Sequence, residues 1–397
     1  MSTSLDSESD ALVPKNIPAA VPTSSWHYLV FGMMSLIVYD FFLQSLGFFT
    51  NSFGSSFGSQ SHIVYAVAAN VVQVCAIFMG SKVPVSHGIV VSCIGLAIVS
   101  VLFPILAHTQ KLIDGLILSC GLGFFCAILQ SIGSASAGNS SADAIVYFYM
   151  GQSVAGLLPW PMIEGLNAIF RCLGSGTVSE ADIRTTYTVM TFVAILSLVF
   201  LPYYFFGMPR GVAPGSYNIS SIWVTFKSMW QWALCAWLLF VTTFAVYPQL
   251  PLTWTASHPD IYPAGEFFYG NMLIYIAIFF DILGMNLPGV SMSSKLAVKV
   301  SVGLRIFFIP ILFLFCPDND IWRIAACIVL AVSGSFLLSM VLQFGCTPPS
   351  SKEFSAEVAG YILSFALCNG IVVGSSLSWG VSQTYGIIQV FKNTAEH

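Results

Sequence analysis

From Trp26 to Ser382 the chain alternates long apolar runs with short polar breaks. A bilayer core takes about 20 apolar residues per helix. On that measure eleven runs qualify: 26–50, 62–81, 88–107, 112–132, 144–168, 187–206, 222–247, 267–290, 298–316, 321–344 and 357–382. The breaks "SKVPVSHG", "SAGNSSAD", "MPRGVAPGSYN" and "GCTPPSSKEFS" carry the Gly, Pro, Ser and charge of loops. The pattern predicts an all-α polytopic membrane protein with eleven transmembrane helices. The longest break on the side of the N terminus, Gly207 to Ser221, falls between the sixth and seventh runs. A six-plus-five split of that kind suits a two-bundle transporter, and a single bundle with one long loop fits the same pattern. The expected division is a disordered cytoplasmic tail (1–25), a six-helix bundle (26–206), a linker (207–221), a five-helix bundle (222–382) and a short external tail (383–397).

Composition agrees with lipid as the main solvent. Of 397 residues, 56% are hydrophobic and 8% charged, against about 25% charged in soluble domains. The formal net charge of -4 has no clustered sign, which excludes the concentrated basic face of a nucleic-acid binder. The ten cysteines lie mostly inside apolar runs, with no CxxC pair and no Cys/His cluster. They read as small buried hydrophobes, and no metal or cofactor is expected. The first 25 residues lack the basic start and apolar core of a signal peptide.

Lys and Arg set the expected orientation. Lys15, Lys82, Arg210, Lys227, Lys295, Lys299 and Lys352 lie on the side of the N terminus, and Lys111, Arg171, Arg184, Arg323 and Lys392 on the other. The bias favours a cytoplasmic N terminus and an external C terminus. The sequons at Asn139 and Asn218 would then face the cytoplasm.

A charge at the bilayer centre costs ~2.5–3.5 kcal/mol on insertion scales, so charges inside the runs carry information. They are Asp40, Glu164, Asp281 and Arg305. Asp40 ("IVYDFFLQ") and Asp281 ("IFFDILGM") sit well inside their runs, each facing a watery cavity or gluing helices as a hydrogen-bonded acid. Glu164 follows "GLLPWPM", where it is either functional or interfacial. Arg305 either snorkels to the surface or forms an internal ion pair. Gln130 and Gln152 each donate and accept, as recognition of a heterocycle requires, and helix-gluing amides have the same signature. No HExxH, GxSxG or Walker-type loop occurs, so there is no catalytic site to assign and no ATP-driven pump. Filter loops and charged rings are also missing, which favours a carrier over a channel.

The stretches "VYDFFLQSLGFFTNSF", "CAILQ", "GQSVAGLLP", "FAVYPQ" and "FFDILGMNLPG", taken in register, resemble the equilibrative nucleoside transporter family. "VYDFFLQSLGFFTNSF" resembles its Trp-Asn-Phe-Phe…Tyr-Phe-Thr-Asn first helix. "CAILQ" and "GQSVAGLLP" are similar to its fourth- and fifth-helix motifs, "FAVYPQ" to its seventh-helix Phe-Pro turn, and "FFDILGMNLPG" to its Phe-Asp-x-x-Gly-Arg eighth helix. "LRIFFIPILFLFC" and "SGSFLLSMVLQFG" continue the series into the ninth and tenth. The resemblance implies a major-facilitator-like fold working by alternating access on nucleosides or nucleobases. By position it implies Tyr39 where the family has a base-contacting Trp, Gln130 on the base, and Asp281 on the ribose hydroxyls. Tyr247 would form pocket wall, with Asp40 and Met285 in the same site. Gln152, Glu164 and Arg305 are the candidates for coupling or gating. Three departures stand out: Met285 replaces the family's Arg, Asp40 its Asn, and Tyr39 its Trp. Two acids without the paired Arg need something positive: a proton, a cationic substrate, or Arg305 reaching across.

The leading expectation is a nucleoside or nucleobase transporter, facilitative or proton-coupled, working as a monomer in the plasma membrane. An organic-cation carrier on the same fold is the alternative, and a non-transporting receptor or scaffold the third reading.

Overall fold

The computed structural model describes residues 26–54, 56–82, 84–173, 178–207, 219–247, 250–251, 254, 256–257, 266–287, 294–347 and 354–395. The tail at 1–25 and most of the linker, 208–218, lie outside the described residues. In lipid no water takes up unpaired backbone groups, so an apolar run satisfies them internally as a helix. The helices are α1 (Trp26–Gln44), α2 (Leu46–Phe53), α3 (Phe57–Met79), α4 (Val85–Ala107), α5 (Leu112–Ser140), α6 (Ala142–Leu157) and α7 (Pro159–Cys172). They continue as α8 (Val178–Pro202), α9 (Ile219–Val246), α10 (Glu266–Met285), α11 (Lys295–Leu314), α12 (Asp320–Cys346) and α13 (Ala356–Ala395). A π-helical turn, Tyr203–Gly207, extends α8.

Among the described residues nine helices are long and apolar enough to cross a membrane. Their outward faces are apolar: on α3, Ile63, Val67, Val71, Val74 and Phe78 are all exposed at helical spacing. A stripe of that kind in contact with water would be a liability, and in contact with lipid it is ordinary. The chain is an integral membrane protein.

The fifth predicted span falls short of that criterion for an identifiable reason. It is broken at Leu158 into α6 and α7, because Pro159 and Pro161 lack the N–H that an unbroken helix needs and fit best in a first turn. The eighth predicted span corresponds to α10, whose described residues form an apolar helix. The first predicted span is also two helices, divided at Ser45. Elsewhere the ends moved outward. α5 continues through "SIGSASAGNS" to Ser140, eight residues past the expected 132, so that stretch is helix rather than loop. One residue then separates α5 from α6. Ser141 caps α6 by accepting from the Ala144 amide at 3.0 Å. The last helix runs past 382 to Ala395.

α1–α8 pack mainly on one another, and so do α9–α13. The two groups meet along two seams: α6 against α10 and α12, and α3 and α5 against α13. The second seam is tightest where α5 ends and α13 begins, because there a Cβ on Gly360 would overlap the Ser134 carbonyl. Those ends lie on the side where α1 starts, to which His27 of α1 and Tyr203 after α8 also belong (2.6 Å). The halves are therefore closed together on the side carrying Trp26.

Within the first half, α1 and α6 approach backbone to backbone. A Cβ on Gly151 would run into the Leu29 carbonyl, whereas one on Gly165 of α7 meets nothing within 4 Å. Overpacking a tight contact costs about 1–3 kcal/mol. Gly151→Leu is therefore expected to lower the melting temperature of the purified protein in detergent, followed by scanning fluorimetry, and Gly165→Leu to leave it unchanged.

Candidate substrate site

Asp281 lies on α10 one turn before Gly284, so both project from one side of the helix. Gly284 carries no side chain because Ser335 and Val332 of α12 occupy the space where one would stand. This close approach draws α10 onto α12 and places the Asp281 carboxylate at the first seam. There it accepts a hydrogen bond from Ser153 Oγ of α6 at 2.5 Å. Two neighbouring contacts run in antiparallel order along the same seam: Gly156 with Ile278 above, and Met150 with Asn286 below.

Behind Asp281 stands Arg305, 4% exposed and within Coulombic reach of the acid without a direct ion pair. Its guanidinium donates to Leu330 O (2.8 Å), Thr243 Oγ1 (3.1 Å), Ser333 Oγ (3.2 Å) and Leu239 O (3.3 Å). Carbonyls and hydroxyls of α9 and α12 thus solvate a charge carried by α11. Of the two sequence alternatives, snorkelling is excluded. Gly334 leaves the room, since a Cβ there would press on the guanidinium.

The second predicted acid is differently placed. Asp40 on α1 is half-buried, and its Oδ2 has no hydrogen-bond partner. It lies within Coulombic reach of Tyr39, Tyr65 and Cys126 on its own half, and of Tyr247 across the gap between halves. Tyr247 also feels Asp281, so the two acids face a common tyrosine. Its hydroxyl donates to the Ile274 carbonyl at 3.0 Å. α1 packs on α5, α6, α7 and α8 and has no extensive packing on α9–α13. Asp40 and Tyr247 thus belong to opposite halves within electrostatic reach of each other, and both are partly exposed.

Tyr39 stacks on Tyr65 with centroids 4.0 Å apart and an interplanar angle of 17°, and its hydroxyl pairs with His62 Nδ1 at 2.8 Å. One ring face is thus already covered. Met285 is buried at 9% exposure and brings no charge. Gln152 donates to Ser35 Oγ at 3.1 Å and ties α6 to α1 within the first half. Its neighbour Ser153, rotated about 100° around the helix, makes the contact across the seam instead. Glu164 is exposed on α7, away from this cluster.

Gln130 belongs to the second seam. At 4% exposure, its Oε1 accepts from Gln73 Nε2 (3.2 Å) and Cys368 Sγ (3.2 Å), while Gln73 Nε2 also reaches Ser364 Oγ (3.3 Å). Next to this cluster Asn369 donates to Asn70 Oδ1 at 3.5 Å and accepts from Trp237 Nε1 at 2.9 Å. Gln73, Asn70, Ser153 and Asn369 were overlooked in the sequence. Gln73 and Asn70 carry the signal that marked Gln130, a lone amide in an apolar run, whereas nothing in the sequence distinguishes Ser153 from other serines in spans.

Residues 208–382 match the profile of the family described as Nucleoside transporter. Rat equilibrative nucleoside transporter 1 (Rattus norvegicus) is 30% identical over 173 residues, 40% of this chain and 37% of that protein. Human equilibrative nucleoside transporter 2 (Homo sapiens) is 28% identical over 175 residues, 40% of this chain and 37% of that protein. The alignments thus span well under half of these relatives' length. Among solved structures, a variant of the E. coli fucose:proton symporter FucP superposes with TM-score 0.60 at 10% identity, covering 93% of this chain and 98% of that one. The proton:xylose symporter XylE gives 0.55 at 11% identity, covering 92% of each. The fold is similar to that of these symporters, and the second half of the sequence is similar to the nucleoside transporter family model and to equilibrative nucleoside transporters.

Proposed function

We propose that the protein moves nucleosides or nucleobases across a membrane by alternating access, facilitatively or coupled to protons. Residues 26–206 rock against 222–382 about the cleft between Asp40, Tyr247 and Asp281. The observation that carries this reading is the Ser153–Asp281 bond. A carboxylate of the second half holds a hydroxyl of the first half, and a ribose presents hydroxyls of the same chemistry. Substrate entering the cleft displaces Ser153 and takes up the acid's acceptor positions with charge-assisted bonds. Arg305 keeps the carboxylate compensated throughout the exchange. Gln130, with its acceptor oxygen occupied at the closed seam, acts as a clasp that opens when the halves separate. The orientation with the N terminus cytoplasmic follows the distribution of Lys and Arg, and the plasma membrane is the membrane we propose.

Hydrogen bonds to a charged group are worth about 1.5–3 kcal/mol, and each 1.4 kcal/mol is tenfold in affinity. Asp281→Asn is accordingly expected to cut uptake of labelled adenosine or uridine into proteoliposomes by about 10- to 100-fold. Full activity in that variant would remove Asp281 from the site, and a wild-type protein passing no nucleoside or nucleobase would sink the transport reading. An imposed pH gradient separates the facilitative from the proton-coupled form.

The second seam gives a test of the rocking motion. Asn70→Cys together with Asn369→Cys, with the exposed thiols Cys75, Cys120 and Cys172 changed to Ser, is expected to be joined by a short bis-methanethiosulfonate. Transport should stop on joining and return on reduction. Uptake that continues in fully joined protein would show that α3 and α13 do not separate during the cycle.

A further inference from the structure

On the side carrying Trp26, a recess of about 90 Å³ opens between α9, α11 and α12, next to Phe354, which leads into α13. Two of the rings that line it, Trp232 of α9 and Phe344 of α12, stack with centroids 5.1 Å apart and an interplanar angle of 30°. Lys295 and Lys299 lie one turn apart on α11 and share a face of that helix. Both lean onto the stacked pair: Lys295 Nζ is 5.8 Å from the centre of the Phe344 ring, and Lys299 Nζ 4.9 Å from that of Trp232. Two like charges are thus gathered over one aromatic platform. Lys299 also donates to Gln231 Oε1, and no carboxylate of the described residues is ion-paired with either lysine. Of the acids closest in sequence to Phe354, Glu357 is buried and Glu353 lies outside the described residues. A ring face occupies one side of an ammonium that carries three donors, so both lysines keep donors for an anion.

The neighbours of the recess set its level in the bilayer. Trp223 and Trp230 are exposed on α9, and tryptophans facing lipid belong at the headgroup level. From Lys295 onward α11 presents Leu296, Val300, Leu304 and Phe308, all exposed and four residues apart, an apolar track that acyl chains can follow. Pockets that enclose a whole small molecule run to about 300–1,000 Å³, so this recess suits one compact group whose remainder lies outside. We propose that it holds the phosphate of an anionic phospholipid, with Lys295 and Lys299 as counter-charges and the acyl chains along the α11 track. The lysines carry the recognition, because the Ser228 and Thr347 hydroxyls at the rim already donate to Thr225 O (2.8 Å) and Gln343 O (2.6 Å). A zwitterionic lipid brings its own cation beside the phosphate and answers the two lysines less well. The site lies within the second half, away from Asp281 and Ser153, so it stands whatever the protein carries.

The test uses the full chain in detergent micelles doped with equal amounts of phosphatidylglycerol and phosphatidylcholine. Native mass spectrometry is expected to find phosphatidylglycerol retained in preference. Scanning fluorimetry should show a melting temperature that rises to saturation with phosphatidylglycerol and not with phosphatidylcholine. Binding should weaken about fivefold for each lysine removed in Lys295→Gln and Lys299→Gln. It should be kept in Lys295→Arg, and in Lys111→Gln at the opposite end of the molecule. If Lys295→Gln is not monodisperse, Lys299→Gln and the wild-type preference between the two lipids decide. Equal retention of the two lipids by the wild type would overturn the site, as would undiminished retention of phosphatidylglycerol in folded Lys295→Gln or Lys299→Gln. So would equal stabilisation by inorganic phosphate, which would mark a site for a soluble anion instead.

Discussion

A hydrogen bond from Ser153 to Asp281 joins the two halves of this protein at the first seam, beside the contact of Asn286 with Met150, and much of the second half is arranged to let that acid exist. A carboxylate far from water must be compensated, and its compensation comes from Arg305 on a different helix. Arg305 must in turn be solvated, and α9 and α12 contribute the oxygens that do so. α9, α10, α11 and α12 are thereby tied into one unit by polar contacts among apolar surfaces. Removing the guanidinium would leave those carbonyls and hydroxyls facing one another, and removing the acid would leave a buried cation without its anion. The acid therefore binds its own half firmly and the opposite half through one hydroxyl. Units tied internally and joined weakly would suit the proposed rocking.

The second seam follows the same logic with neutral groups. Lipid tails are as apolar as leucine, so burial of apolar surface does little to hold helices together in a membrane. What holds α5 to α13 is close backbone approach at Gly360 and Gly138, and the amide and thiol cluster of Gln73, Gln130, Ser364 and Cys368. Neutral hydrogen bonds contribute about 0.5–1.5 kcal/mol each, enough to favour a closed seam and few enough to be broken in the proposed rocking. The small-residue stretch "SIGSASAG" lets the halves touch closely without interpenetrating side chains.

Much of this was legible in the amino-acid sequence, and the boundary lies where physical reasoning places it. Apolar runs foretold the helices because lipid leaves the backbone no alternative. Their ends were poorly foretold because Ser, Gly and Ala in "SIGSASAGNS" read as loop by composition while packing keeps them helical to Ser140. The proline break at Leu158 was visible as a bend, and its severity was not. Asp281, Asp40 and Arg305 announced themselves by cost: a charge in an apolar run needs a reason. Their partners could not be read, because Ser153 and Thr243 are cheap residues that occur anywhere in a span. Gln152 was selected where its neighbour makes the contact across the seam, a difference of one helical step that no one-dimensional pattern resolves. Gln130, expected at a base, is seated in the seam in this structure, and both placements leave the same mark on the sequence.

The arginine missing after Asp281 is the departure on which the chemistry turns. The sequence resemblance places a cation at Met285, four residues beyond the acid, where it would share the acid's face of α10. The structure puts Met285 in a buried position with no charge and leaves Arg305, from α11, as the acid's cation. That substitution is tolerable for Asp281, which needs only one positive partner. It is not neutral for the cleft, because Asp40 adds a second carboxylate on α1 and no second cation accompanies it. The two departures reinforce each other: one removes a positive charge from the site and the other adds a negative one.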